Sequence, residues 1–101
     1  MPVAYIVVES KISDPEQFKK YMAAAPEVVK SFGGEYLVRG GRLEVLEGTW
    51  QPPRMTVLRY PSYEAAKAMY DSPAYVAARK LRAGATAVFN MVLVEGVDAP
   101  V

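Results

Sequence analysis

Apolar positions along this chain alternate in twos over some stretches and recur in threes and fours over others, which separates strands from helices. Residues 3–9 are the first alternating stretch. Val3, Tyr5 and Val7 face one way; Ala4, Ile6 and Val8 face the other. A strand apolar on both faces is expected to be central and covered on both sides. A helix follows. Asp14 suits the N-cap, Pro15 the first helical position, and Gln17 the third, where it can complete a capping box. Phe18, Tyr21, Met22, Ala25, Val29 and Phe32 then form one helix face. Pro26 lies inside this pattern and predicts a kink near residues 22–25, because it removes one backbone bond and crowds the preceding turn. Gly33-Gly34 stops the helix.

Residues 35–39 read as a second strand, Gly40-Gly41 as a bulge or turn, and residues 43–47 as a continuation of that strand or a short separate one. Residues 48–53 form a loop ending in two prolines, which cannot donate to a ladder. Residues 54–60 are a further strand. Ser62 caps a second helix with Ala65, Ala66, Met69 and Tyr70 on its apolar side. Ser72-Pro73 breaks and restarts that helix, which runs to about Arg82 and ends at Gly84. Residues 85–95 are a last strand, apolar on both faces, and residues 96–101 a tail.

The order is βαββαβ, the α+β ferredoxin-like pattern of an antiparallel sheet with its helices on one face. Helices cover one face only. The other face still carries Val, Ile and Leu whichever parity is chosen. An exposed apolar sheet of that size marks an interface, so a homodimer packed sheet to sheet is expected.

Composition narrows the chemistry. The chain has 101 residues, neither cysteine nor histidine, and a formal net charge of +1. This is enough for one domain, residues 1–101, with a modest core that a partner would extend. Disulfides, thiolate metal sites, a cysteine nucleophile, a histidine base and a Ser-His-Asp triad are excluded. No metal or cofactor site is expected. Near-neutral charge argues against nucleic acid. No apolar run is long enough for a signal peptide or a membrane span, so the expected place is the cytoplasm, away from membranes.

Four stretches carry a resemblance: residues 33–41 (Gly-Gly-Glu-Tyr-Leu-Val-Arg-Gly-Gly), 44–50 (Glu-Val-Leu-Glu-Gly-Thr-Trp), 70–75 (Tyr-Asp-Ser-Pro-Ala-Tyr) and 93–96 (Leu-Val-Glu-Gly). Together, in this order, they resemble the DUF1330 family over nearly the whole chain. The resemblance implies the dimeric α/β-barrel superfamily, in which two ferredoxin-like subunits pack sheet to sheet. That superfamily includes cofactor-independent monooxygenases, lactone isomerases, haem-degrading enzymes and chlorite dismutases. A histidine-ligated haem is excluded by this composition. The family itself carries no assigned function, so no catalytic residue transfers, and fold alone does not fix activity.

The candidate pocket is therefore read from the residues. Arg39, Arg54 and Arg59 lie on or beside apolar strands, with Trp50 and Asn90 the nearest other polar or amphipathic groups. Between sheet and helices, the guanidinium forks would bind a carboxylate or enolate, with Trp50 as a lid. The alternative pairs these arginines with Glu35, Glu44 or Glu47 across strands or across the dimer. Asn90 interrupts the last strand, where asparagine is disfavoured. It orients a ligand, bonds within a bulge, or lies at the dimer face. Tyr75, in the first turn of the restarted helix, is a proton donor or a packed core residue. Three functional classes remain open: a cofactor-independent small-molecule enzyme, monooxygenase- or isomerase-like; a non-catalytic binder of a small acidic metabolite; and a purely structural dimer. Sedimentation at micromolar concentration is expected to give about twice the 11.1 kDa chain mass. A clean monomer at that concentration would sink the sheet-to-sheet dimer.

Overall fold

The structure is a computed structural model and describes residues 2–98. Of the expected tail, residues 99–101 lie outside the described residues. The elements are β1 (Ala4–Ile12), α1 (Pro15–Ser31), β2 (Glu35–Arg39), β3 (Met55–Tyr60), α2 (Tyr63–Asp71), α3 (Pro73–Lys80) and β4 (Thr86–Glu95). The second helical region is thus two short helices that share Ser72, C-cap of one and N-cap of the next. The four strands form one antiparallel sheet in the order β2-β3-β1-β4. This is the expected ferredoxin-like α+β architecture.

The N-cap signals do what their chemistry predicts, but Gln17 completes no capping box: its side-chain amide donates to the Leu81 carbonyl at 2.6 Å, and the Asp14 amide donates to the Ala85 carbonyl. The Asp14 carboxylate accepts from the Gln17 amide, and the Ser62 and Ser72 hydroxyls accept from the Ala65 and Tyr75 amides. Helix α1 runs unbroken through Pro26. Gly34 permits a close approach: a Cβ there would lie 2.5 Å from the Tyr60 ring and 2.7 Å from Val29.

Parity along the strands sorts the sheet's two faces. Ala4, Ile6, Val8 and Ser10 of β1 are buried beneath the helices. Their partners Leu58 and Tyr60 on β3, and Met91 and Leu93 on β4, share that inner face. Ile6, Val8, Leu58, Tyr60, Ala25, Val29, Met69 and Tyr75 belong to the core so formed. Among the described residues, no layer covers the opposite face. Val92 is 59% exposed, Val94 49% and Val38 39%, beside the less exposed Tyr5, Val7 and Val57.

Two features depart from the sequence reading. First, residues 43–47 form no strand. The β2–β3 ladder ends at Arg39 opposite Thr56, Gly40 donates to the Met55 carbonyl, and the chain leaves the sheet at a positive φ of 70°. Residues 41–51 then make an exposed arm, with Leu46 at 86% and Trp50 at 59%. Its apolar side chains have no neighbouring strand to pair with. The arm helps to explain a radius of gyration of 14.0 Å, above the ~13 Å of a compact chain this size. Second, β2 carries a bulge at Leu37, between Tyr36 and Val38, that was not expected, while Gly40, of the two readings for Gly40-Gly41, takes the turn. One extra residue turns every later side chain of β2 to the other face.

Gly34→Ala is expected to cost about 1–3 kcal/mol through overpacking against Tyr60 and Val29. A lower urea midpoint with an unchanged slope is the expected reading; an unchanged midpoint contradicts the close approach.

Candidate functional site

A cavity of about 40 Å³ lies between the inner face of the sheet and the helices, room for roughly three water molecules. Phe18, Met22, Met69, Phe89 and Met91 supply apolar wall. Ser10, Arg39, Arg54 and Thr56 bring polar groups from the sheet side. Tyr21 and Tyr75 bring hydroxyls from α1 and α3, and Tyr36 adds a third phenol from β2. No aspartate or glutamate lines the cavity.

The bulge at Leu37 is what places Arg39 here. Glu35 and Arg39 are four residues apart and would share a face in a regular strand. With the bulge, Glu35 pairs opposite Arg59, while Arg39 pairs opposite Thr56 on the helix side. Arg39 donates to the Met22 carbonyl at 3.4 Å, and its guanidinium lies 4.6 Å from the Tyr36 ring centre. Arg54 reaches the same wall from the other root of the arm. Its side chain passes over Gly40, where a Cβ would sit 2.5 Å from Nε. Neither arginine has a carboxylate partner among the described residues.

The Tyr21 and Tyr75 hydroxyls lie 2.6 Å apart. Burial raises both phenols above their ordinary value of 10.0. The neighbouring Tyr21 raises Tyr75 further, and the Arg82 guanidinium opposes the rise in both. Arg82 itself lies 3.7 Å above the Phe89 ring and 5.1 Å from that of Tyr21. Tyr36 is also raised by burial, and Tyr60 is raised strongly for the same reason. The Tyr60 hydroxyl and Arg82 Nε are buried with no hydrogen-bond partner among the described residues.

Of the six residues expected in a pocket, Arg39, Arg54 and Tyr75 line the cavity. The structure corrects the placement of Arg59, Trp50 and Asn90. Arg59 pairs with Glu35 directly across the β2–β3 ladder, with Nε donating at 2.7 Å, the ion-pair alternative for this one arginine. Asn90 and Trp50 both donate to Glu9, each at 3.0 Å, one to each carboxylate oxygen. All of these groups belong to the open side of the sheet. Strand parity is the reason: Asn90 pairs opposite Glu9 and shares its face with Val92 and Val94. Trp50 is no lid over the cavity. Tyr21, Tyr36, Arg82 and Ser10 were not singled out from the sequence as pocket residues. Ser10 carried a signal, a polar group on the parity of Ala4, Ile6 and Val8. The described residues hold no cluster of three His, Cys, Asp or Glu side chains fit for a metal ion, and no helix long and apolar enough to cross a membrane.

Residues 3–97 match the domain of unknown function DUF1330. The chain belongs to the DUF1330 family. Solved structures similar to this DUF1330 chain include the RPA0582 protein of unknown function from Rhodopseudomonas palustris. It is 18% identical with a TM-score of 0.74, over 97% of this chain and 85% of that one. A dimeric ferredoxin-like protein of unknown function from Thermobifida fusca is 17% identical with a TM-score of 0.63, over 94% and 92%. SnoaB, a cofactor-independent oxygenase from Streptomyces nogalater, is 11% identical with a TM-score of 0.61, over 98% and 97%. At these identities the likeness is one of fold. Among curated proteins, none matches the DUF1330 chain in sequence.

The raised phenols set an alkaline limit. Each is harder to ionise folded than unfolded, so above about pH 10 the unfolded chain holds fewer protons and is favoured. Stability is expected to be complete below that pH and to fall as pH rises further. Thermal midpoints across pH 9–12 check this; a flat profile contradicts the burial of the four tyrosines.

Proposed function

We propose that this DUF1330 chain works as a homodimer, open sheet face to open sheet face, with a small-organic-anion site in each subunit's cavity. The site serves cofactor-free chemistry on that anion. One observation carries the anion site. Arg39 and Arg54 both line the cavity, neither has an acidic partner among the described residues, and no carboxylate lines the same wall. A guanidinium left without a partner at a cavity wall is a donor fork for a carboxylate or enolate. At about 40 Å³, with Met and Phe in its walls, the cavity suits an anion of a few heavy atoms.

The dimer is supported by the uncovered apolar face and by the description of the Thermobifida fusca protein as dimeric. Cofactor-free chemistry is supported by analogy of fold with SnoaB alone. A second reading, a non-catalytic binder of a small acidic metabolite, is favoured by the lack of a carboxylate base in the wall. Turnover of the bound anion separates the two. The net charge of +1 keeps nucleic acid outside the proposal, and the cytoplasm remains the expected compartment.

Calorimetry with acetate and uncharged acetamide tests the anion site. Acetate is expected to bind and acetamide not to. Arg39→Ala and Arg54→Ala are each expected to weaken acetate by tenfold or more, since a hydrogen bond to a charged group contributes about 1.5–3 kcal/mol. Equal binding of acetate and acetamide, undiminished binding in both variants, or binding of neither probe overturns the reading.

A further inference from the structure

The two arginines account for a carboxylate, but they leave the hydroxyls of Tyr21 and Tyr75 unexplained. Two hydroxyls carry two O–H protons. One is held between the oxygens, 2.6 Å apart. The other is free to be donated elsewhere, and no protein acceptor takes it among the described residues. The charged group beside the pair is Arg82, which only donates. Both tyrosines line the same cavity as Arg39 and Arg54. An oxygen inside that cavity can accept the remaining proton.

Resting on the anion site above, we propose that the ligand carries a second oxygen besides its carboxylate, and that the Tyr21–Tyr75 pair donates a hydrogen bond to it. The ligand class is a hydroxy-, oxo- or enol-carboxylate of two or three carbons. Arg39 and Arg54 take the carboxylate, the methionine and phenylalanine walls take the body, and the tyrosine pair takes the remaining oxygen. Tyr21 and Tyr75 act as a unit: either hydroxyl can donate to the other, and the remaining proton goes to the ligand. The site contains donors for both oxygens and no carboxylate base. It therefore stabilises negative charge that the ligand brings with it, on its carboxylate or on an enolate oxygen.

The probes are acetate, glycolate and glyoxylate, measured by calorimetry on the full chain at neutral pH. Glycolate or glyoxylate is expected to bind about tenfold more tightly than acetate, the scale of one well-made hydrogen bond in a buried site. Either single Tyr→Phe variant keeps one O–H, so it is the double variant Tyr21→Phe/Tyr75→Phe that is expected to erase the advantage. The single variants are expected to reduce it and stand in if the double variant does not fold. Oxygen-bearing probes that bind no better than acetate overturn the second oxygen but leave the carboxylate site intact. An advantage that survives in the double variant, or undiminished in both single variants, overturns the role of the pair. Failure of all three probes to bind removes the anion site, and this proposal with it.

Discussion

Everything in this fold depends on the alternation along β1. Its even positions bury Ala4, Ile6, Val8 and Ser10 under the helices, and its odd positions put Tyr5, Val7 and Glu9 on the other side. Because β1 is central, paired with β3 and β4, its parity propagates across the ladder and decides the face of nearly every strand residue. A slip of one residue would exchange the two faces entirely. The inner face has a helix layer to meet and the outer face has none. A cavity on one side and an uncovered apolar surface on the other follow from a single register.

The bulge at Leu37 is the exception that makes the site. It reverses parity on β2 after Tyr36, leaving Glu35 to pair with Arg59 on the open face while Arg39, still exposed, lies on the helix side. Arg54 meets it from the far root of the arm: the Gly40 amide bonds to the Met55 carbonyl, and the missing side chain at Gly40 leaves room for the Arg54 guanidinium to pass. The charge in the cavity is therefore a product of backbone irregularity at the end of a short strand. Regular β pairing would have sent Arg39 to the open face.

Much of the fold was legible because its strongest signals are local. Asp14-Pro15, Ser62 and Ser72-Pro73 name the helix starts, and two-faced apolar runs name β1 and β4. The arm was misread because Leu43, Val45 and Leu46 look like a strand, yet a strand exists only where a neighbour pairs with it. Site membership was harder. Phe89, Met91 and Leu93 compete with Val92 and Val94 for the inner face of β4, so sequence leaves the side of Asn90 undecided. Arg39 depended on a bulge that Tyr36-Leu37-Val38 does not announce, since none of these is a glycine. Tyr21 sits on the apolar stripe of α1 and reads as packing; its meeting with Tyr75, 54 positions along the chain, is a tertiary fact.

Trp50, displaced from any role over the cavity, has a different consequence. It is the only tryptophan in the chain, it is 59% exposed, and its indole is tied to Glu9 beside Asn90 on the uncovered face. Indole emission responds to the polarity around the ring. The chain thus carries a built-in optical reporter on the face without a helix layer, well apart from the tyrosines of the cavity. A single intrinsic signal separates what happens on one side of the sheet from what happens on the other.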